Sequence, residues 1–373
     1  MTGILIAAIA GRMLASSARR GGYDVGVLDL FNDLDTRSIA PNSCKVAGHE
    51  QGLERFSRNA LLEAASRLAP GDAYSGLVYG SGFEEDTQLL SDLARGRRLY
   101  GNDVAAIRSI KDPLRFISLL KKWAIPHPAI SMARPKDATG WLAKKIGGSG
   151  GAHVVAAEQI DSDAANRYYQ RYIDGKNYSV SFLANRERAL IVGFNEPWSI
   201  ALGDWPYCYL GAIGHVPLPT DMIERIQHDL DVIVRDAGLV GLNGMDFIVN
   251  GDDYFVIEIN PRPSGALDLY DADCPEGLFH WHLQASDGVL PERLFDDISI
   301  RAHAVVYTLQ SLKLDRDVQW PGWCSDIPEP GSVFAPRMPV CMVHADGDDH
   351  DEVKALLHAR RAIILSLVQK HAA

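Results

Sequence analysis

The chain has 373 residues, 47% of them hydrophobic and 23% charged, with a formal net charge of −11. That length accommodates two or three domains, and the acidic balance argues against a broad nucleic-acid footprint while leaving room for a local basic cleft. Cys44, Cys208, Cys274, Cys324 and Cys341 are scattered without a CxxC pair. Neither a zinc site nor a disulfide framework is expected; reduced thiols in a cytoplasmic protein are.

In chain order, "ILIAAIA" (4–10) reads as a buried strand and "RMLASSARRGG" as a helix ending at glycine. This start is taken as strand and helix rather than an export signal, because its apolar core is short and Arg12 interrupts it. "YDVGVLDL" supplies a second strand, with Asp29 near its end. A helix over 51–68, the strand "GLVYGS", a short helix over 86–95 and "RLYG" follow. Such alternation predicts a small open parallel sheet. The first strand-to-helix turn has no GxGxxG, so a dinucleotide site is not expected. "GSGFE", Gly80 to Glu84, is either a binding loop at the sheet edge or a plain turn.

"IKDPLRFISLLKKWAIPHP" predicts a helix from Pro113 to Trp123 and a domain boundary near 109–130. Beyond it come strands and hairpins with helices at 220–237 and 278–286. The tail holds "RAHAVVYTL", the strand-like "PVCMVHA" and a helix over 351–370. No run approaches the length needed to span a bilayer.

The chemistry concentrates in "GMDFIVNGDDYFVIEINPRPSG". Two strand-like runs flank "NGDD", a strong hairpin signal. Alternation puts Glu258 and Asn260 on one face, and the hairpin can fold Asp246 beside them. Two carboxylates and an amide oxygen are hard ligands of the kind magnesium uses while holding phosphate. Arg262 could grip an oxyanion with its planar fork. An acidic pair on an exposed face would account for Asp252 and Asp253 in the turn. It accounts poorly for Glu258, which interrupts an apolar run, and the metal reading is preferred.

"WLAKKIGGSGGAHVV", residues 141–155, is the second feature. On a strand, Lys144 and Lys145 point to opposite faces, so only one need enter a cleft. The glycines free backbone N–H groups to curl around phosphate, yet the run is not a Walker A loop. Taken alone, a glycine hairpin beside exposed lysines is the commoner outcome. "YYQRYIDGKN" suits either an adenine-stacking hinge or a core strand with a turn.

Together these segments resemble the ATP-grasp superfamily over most of residues 1–290, the "EINPR" signature being the specific part. The resemblance implies an α/β and α+β fold: a Rossmann-like N-terminal domain (1–108), an ATP-grasp domain (109–290) and a C-terminal α+β extension (291–373) packed on the grasp domain. By that resemblance Lys144 is the ATP-facing lysine, and Gly147, Gly148, Ser149, Gly150 and Gly151 form a phosphate lid. Gln170, Tyr172 and Ile173 receive adenine. Asp246, Glu258 and Asn260 bind Mg2+ or Mn2+, and Arg262 steadies the transferred phosphoryl group or bound carboxylate. "KDP" stands where many members have D-K, and whether Lys111 reaches the phosphate from this offset position in place of the usual lysine stays open. Lys145 replaces a common proline, and the usual ribose-binding acid has no clear match.

The activity implied is an ATP-dependent carboxylate–amine ligase acting on small molecules through an acyl phosphate, without nucleic-acid or membrane partners. Self-association stays open. A kinase on the same fold, or a non-catalytic nucleotide-binding protein, are the alternatives. More distantly the layout resembles ATP-grasp amine–glutamate ligases of the tyramine–glutamate type, an expectation prompted by the aromatic-rich segment 194–217. His280 and His282 are read either as substrate contacts or as packed histidines.

Overall fold

The computed structural model describes residues 3–49, 52–71, 73–160, 166–295, 297–314 and 318–370. The N-terminal part is a parallel sheet in the order Ser43–Lys45, Val25–Asp29, Gly3–Ala7, Tyr74–Tyr79, Arg98–Tyr100. Gly3–Ala7 and Val25–Asp29 are buried throughout, as expected where both faces of a parallel sheet are covered. The region read as one helix over 51–68 divides. Gly52–Phe56 is a strand paired with Gly48–His49, and the helix spans only Arg58–Leu68. Ser57, in extended backbone at the helix entry, is the residue type that marks such a start. The strand pairing ahead of it overrides the helical pattern.

A small antiparallel sheet follows, in the order Val155–Ala156, Trp141–Lys145, Arg167–Arg171, Ile130–Ser131. The second sheet is larger. Among the described residues it runs Asp253–Asn260, Val240–Asn250, Lys176–Asn185, Ala189–Leu202, Trp205–Ile213, Ile300–Tyr307, Pro339–Gly347, Cys324–Ser325. The C-terminal strands therefore continue this sheet, with Gly211 opposite Ala304 and Ala304 opposite Val343.

One face of the large sheet is covered by the helices Thr220–Ala237 and His350–Lys370, and the other by Arg12–Arg20 and Leu278–Ser286. In Thr220–Ala237, Met222, Ile226, Leu230 and Ile233 line one buried stripe. Each such side chain contributes about 1.5–3 kcal/mol by leaving water. The helix ends where Gly238 turns left-handed, at φ +68. No helix among the described residues is long and apolar enough to cross a membrane.

Candidate functional site

The two strands of the acidic hairpin, Val240–Asn250 and Asp253–Asn260, are joined through Gly251, whose φ of +61 is the left-handed conformation that "NG" favours. Register sets Asp246 opposite Glu258 and Gly244 opposite Asn260. The Asn260 amide donates to Asp246 Oδ2 at 3.2 Å. Asp252 and Asp253 stay exposed at the turn.

The sequence "KDP" delivers the first lysine. A residue before proline is biased out of the helical region, and Asp112 is extended at φ −77, ψ 116. The helix Val104–Lys111 therefore stops, and Pro113–Lys122 starts with the Asp112 carboxylate accepting from Leu114 and Arg115 N–H at 3.0 and 3.1 Å. Lys111, left at the break, donates to Glu258 Oε1 and to Asn260 Oδ1, the latter at 3.0 Å.

Lys144 enters from the small sheet, opposite Tyr168, and is buried. Burial lowers its pKa, against the raising effect of Glu258 and Asp246. Lys145 diverges and pairs with Glu85 of the N-terminal domain, while also bordering the cleft.

Arg262 is equally enclosed. Its Nε donates to Glu84 Oε1 and its Nη1 to the Pro263 carbonyl at 3.2 Å. Glu84 Oε2 accepts the backbone N–H groups of Gly82 and Phe83, both at 3.1 Å. The "GSGFE" segment thus holds the Arg262 guanidinium through Glu84. Against burial, Arg262 and Lys111 hold the Glu84 carboxyl down at about 2. The "NPR" turn is pinned from behind: Asn102 Nδ2 donates to the Pro261 carbonyl at 2.9 Å, and Tyr79 Oη to the same carbonyl at 3.0 Å.

Asp246 and Glu258 part company electrostatically. Burial, and then the charge of Glu258, push Asp246 up to about 7. Glu258 moves down despite burial, because Lys111 and Lys144 face it. Two half-buried carboxylates side by side favour a cation between them. Among the described residues no group of three or more His, Cys, Asp or Glu is arranged for a metal, so a metal here would rely on two carboxylates and an amide. That donor set suits magnesium, which keeps several ligands from water and phosphate. The Lys111 ammonium already spans Glu258 and Asn260, marking a seat for positive charge.

The glycine run lies against the large sheet. Gly147, Gly150 and Gly151 have φ of +76, +70 and +76. The Gly150 carbonyl accepts from Tyr209 N–H at 3.0 Å. A Cβ on Gly151 would stand 1.9 Å from the Tyr207 carbonyl oxygen. Between this run and the hairpin lies a cleft. Ile110, Phe116, Ile117, Ile130 and Ile257 line it with apolar surface, and Lys111, His153 and Glu258 with polar groups. Gln170 lines it too and donates to the Ile257 carbonyl at 3.3 Å. Tyr172 and Ile173 follow the strand end at Arg171; Tyr172 is 49% exposed and donates its N–H to the Gly140 carbonyl at 2.9 Å.

The two helix histidines hold the fold together. His282 Nδ1 accepts from Leu242 N–H at 2.9 Å and its Nε2 faces the Tyr100 carbonyl at 3.2 Å, with burial pushing it down to about 4. His280 bonds Tyr23 Oη at 2.7 Å. Sequence reasoning missed Asn102, Tyr79 and His153. His153 alone carried a signal, its place two residues after Gly151, the last glycine of the run.

A lysine-bearing strand and a glycine run thus face an acidic hairpin, with a parallel sheet preceding them in the chain. Residues 110–266 match the model of the ATP-grasp domain, and the chain carries that domain. It is 23% identical over 245 residues to an uncharacterized protein of Methanocaldococcus jannaschii, covering 62% of this chain and 60% of that one. It is 24% identical over 238 residues to the carbamoyl phosphate synthase large chain of Rubrobacter xylanophilus, covering 57% of this chain but 22% of the synthase. The matches thus span less than two thirds of either relative.

In fold, the chain resembles an L-amino acid ligase from Bacillus licheniformis, with TM-score 0.71, 12% identity and 96% of each chain covered. It also resembles the N5-carboxyaminoimidazole ribonucleotide synthetase of Thermotoga maritima, with TM-score 0.69, 16% identity, and coverage of 97% of this chain and 98% of that one.

Proposed function

We propose that the protein is an ATP-dependent ligase that activates a carboxylate as an acyl phosphate and joins it to an amine, releasing ADP and phosphate. The observation that carries this reading is a cleft where Lys111, Lys145, Gly147 and Gly148 face Glu258, with the Lys144 charge acting on both Glu258 and Asp246. The relatives whose names describe ligases and synthetases support it.

In this reading the apolar end of the cleft takes adenine beside Gln170, and the polar end takes the triphosphate. Asp246, Glu258 and Asn260 would hold Mg2+, which supplies charge neutralisation for the phosphoryl group when bound. Lys111 and Lys144 neutralise charge on the phosphates, and Arg262 orients the incoming carboxylate. A carboxylate oxygen attacks the γ-phosphorus and the bond to the β-phosphate oxygen breaks, so ADP leaves. The amine nitrogen then attacks the acyl carbon, the carbon–oxygen bond to phosphate breaks, and the nitrogen loses its proton. The lid, seated on Tyr209, excludes the water that would hydrolyse the acyl phosphate.

The test is ADP and phosphate release across a matrix of carboxylates and amines, glutamate and tyramine among them, with products read by mass. An amide formed in step with ADP is expected. A stable phosphorylated product without an amine requirement would replace this reading with a kinase.

A further inference from the structure

We propose that Lys111 is a tethered cation that shares its seat with the metal: its ammonium and a divalent ion take turns on Glu258 and Asn260, so that metal binding and nucleotide binding are coupled. This rests on the reading of the cleft as a nucleotide site. Lys111 Nζ donates to Glu258 Oε1 and, at 3.0 Å, to Asn260 Oδ1. It thus holds an oxygen on each of two of the three residues suited to Mg2+. The third is engaged as well, since Asp246 Oδ2 accepts from the Asn260 amide at 3.2 Å.

An ammonium and a divalent ion cannot both sit on these oxygens. Each needs the same lone pairs, and two cations at contact distance repel one another. A second positive charge already bears on the pair. Lys144 acts on Asp246 and Glu258 from the small sheet, and the Lys111 charge opposes it. A divalent ion arriving here must displace Lys111 rather than join it.

The displaced side chain has somewhere to go. Lys111 ends a helix at the break before Pro113, and it lines the cleft with Lys145, Gly147, Gly148 and Glu258. Its backbone is fixed by the helix, while its flexible four-carbon stem lets the ammonium turn. A polyphosphate in that cleft offers oxygens in exchange for those of Glu258 and Asn260, and holds the ion against the carboxylates that Lys111 leaves. Adenosine does neither. By linkage, metal and polyphosphate each tighten the other.

The experiment titrates Mn2+ into the full chain without nucleotide, reading free Mn2+ by its paramagnetic resonance signal, and measures ADP binding by calorimetry with Mg2+ and with a chelator. Lys111→Met, which removes the charge and keeps the bulk, should bind Mn2+ about tenfold more tightly than wild type, the scale of one hydrogen bond to a charged group. Lys111→Arg, which keeps the charge, should stay near the wild-type affinity. Adding Glu258→Gln to Lys111→Met should abolish the gain. The factor by which Mg2+ tightens ADP should shrink by about tenfold in Lys111→Met, because the ion no longer competes with a tethered cation. An unchanged Mn2+ affinity in Lys111→Met, or a gain that survives Glu258→Gln, overturns the shared seat and leaves the nucleotide reading intact wherever wild type binds ADP. An undiminished Mg2+ factor overturns the coupling. A wild-type chain that binds ADP under neither condition overturns the nucleotide reading, and the coupling with it.

Discussion

Among the described residues, the charge clusters around Arg12 and around Glu258 are built to opposite ends. Around Arg12, every partner is a fixed part of the chain. Its Nη2 donates to Asp268 at 2.5 Å and its Nε to Asp326 at 2.9 Å, with Asp35 3.7 Å away. Asp35 in turn accepts the N–H groups of Asp326 and Ile327 at 2.8 and 3.0 Å. The first helix, the turn after the acidic hairpin and the C-terminal segment are thereby tied at one point. Burial works against the Arg12 charge, but Asp268 and Asp326 outweigh it and raise its pKa. Around Glu258 the pairing is provisional: Lys111 stands on oxygens suited to a metal, and Asp246 has an amide in place of a cation. A complete cluster stabilises a fold, whereas an incomplete one awaits a ligand.

That contrast makes its largest prediction through a pair of variants. Glu258→Gln should lower Mg2+-dependent turnover by about a hundredfold or more, with the urea midpoint little changed. Arg12→Met should do the reverse. Leaving Asp268 and Asp326 buried without their partner costs about 3–5 kcal/mol in urea unfolding, while nucleotide binding survives wherever the chain is folded. Loss of the fold in Glu258→Gln, or loss of activity without destabilisation in Arg12→Met, would break the comparison.

A smaller effect separates the lid from both clusters. Gly151→Ala adds a methyl where the Tyr207 carbonyl would be 1.9 Å away, at a φ of +76. The strain, about 1–3 kcal/mol, falls on the seated lid. Turnover should drop about tenfold or more, with a thermal midpoint close to wild type. Wild-type turnover would mean that the seat beside Tyr207 has no part in the reaction.

The hairpin carrying Asp246 and Glu258 was legible in the sequence, because "NG" fixes the turn and period-two alternation fixes the face. The helix break at "KDP" was equally local, since Pro113 constrains Asp112. What could not be read were the contacts made across domains. Glu84 meets Arg262 from 178 positions away, and Asn102 meets Pro261 from 159. No periodicity links such residues. The tail reads in the sequence as an α+β extension packed on the grasp domain, and its strands carry ordinary alternation that gives no hint of which sheet edge they join. Over 51–68, apolar residues matched a helix, and the pairing that makes 52–56 a strand lies outside the segment.

The subtlest difference between carboxylates appears in pH dependence. Asp246 has a folded value of about 7 against an ordinary 3.8, so between these values the folded chain holds a proton that the unfolded chain lacks. Its contribution to stability is full below 3.8 and is lost as pH rises through about 7. Glu84 has the opposite sign: its contribution is present above 4.5 and is lost as pH falls toward about 2. With no nucleotide or metal added, raising pH from about 5 to about 8 should therefore weaken the wild-type chain, and Asp246→Asn should flatten that slope. Added Mg2+ should stabilise the wild type most at the upper end, where the ionised carboxylate is available to it. Urea midpoints for both proteins, with and without Mg2+, measure this directly. An unchanged slope in Asp246→Asn would show that the buried hairpin does not carry the proton, and that its two carboxylates share charge more evenly than their surroundings imply.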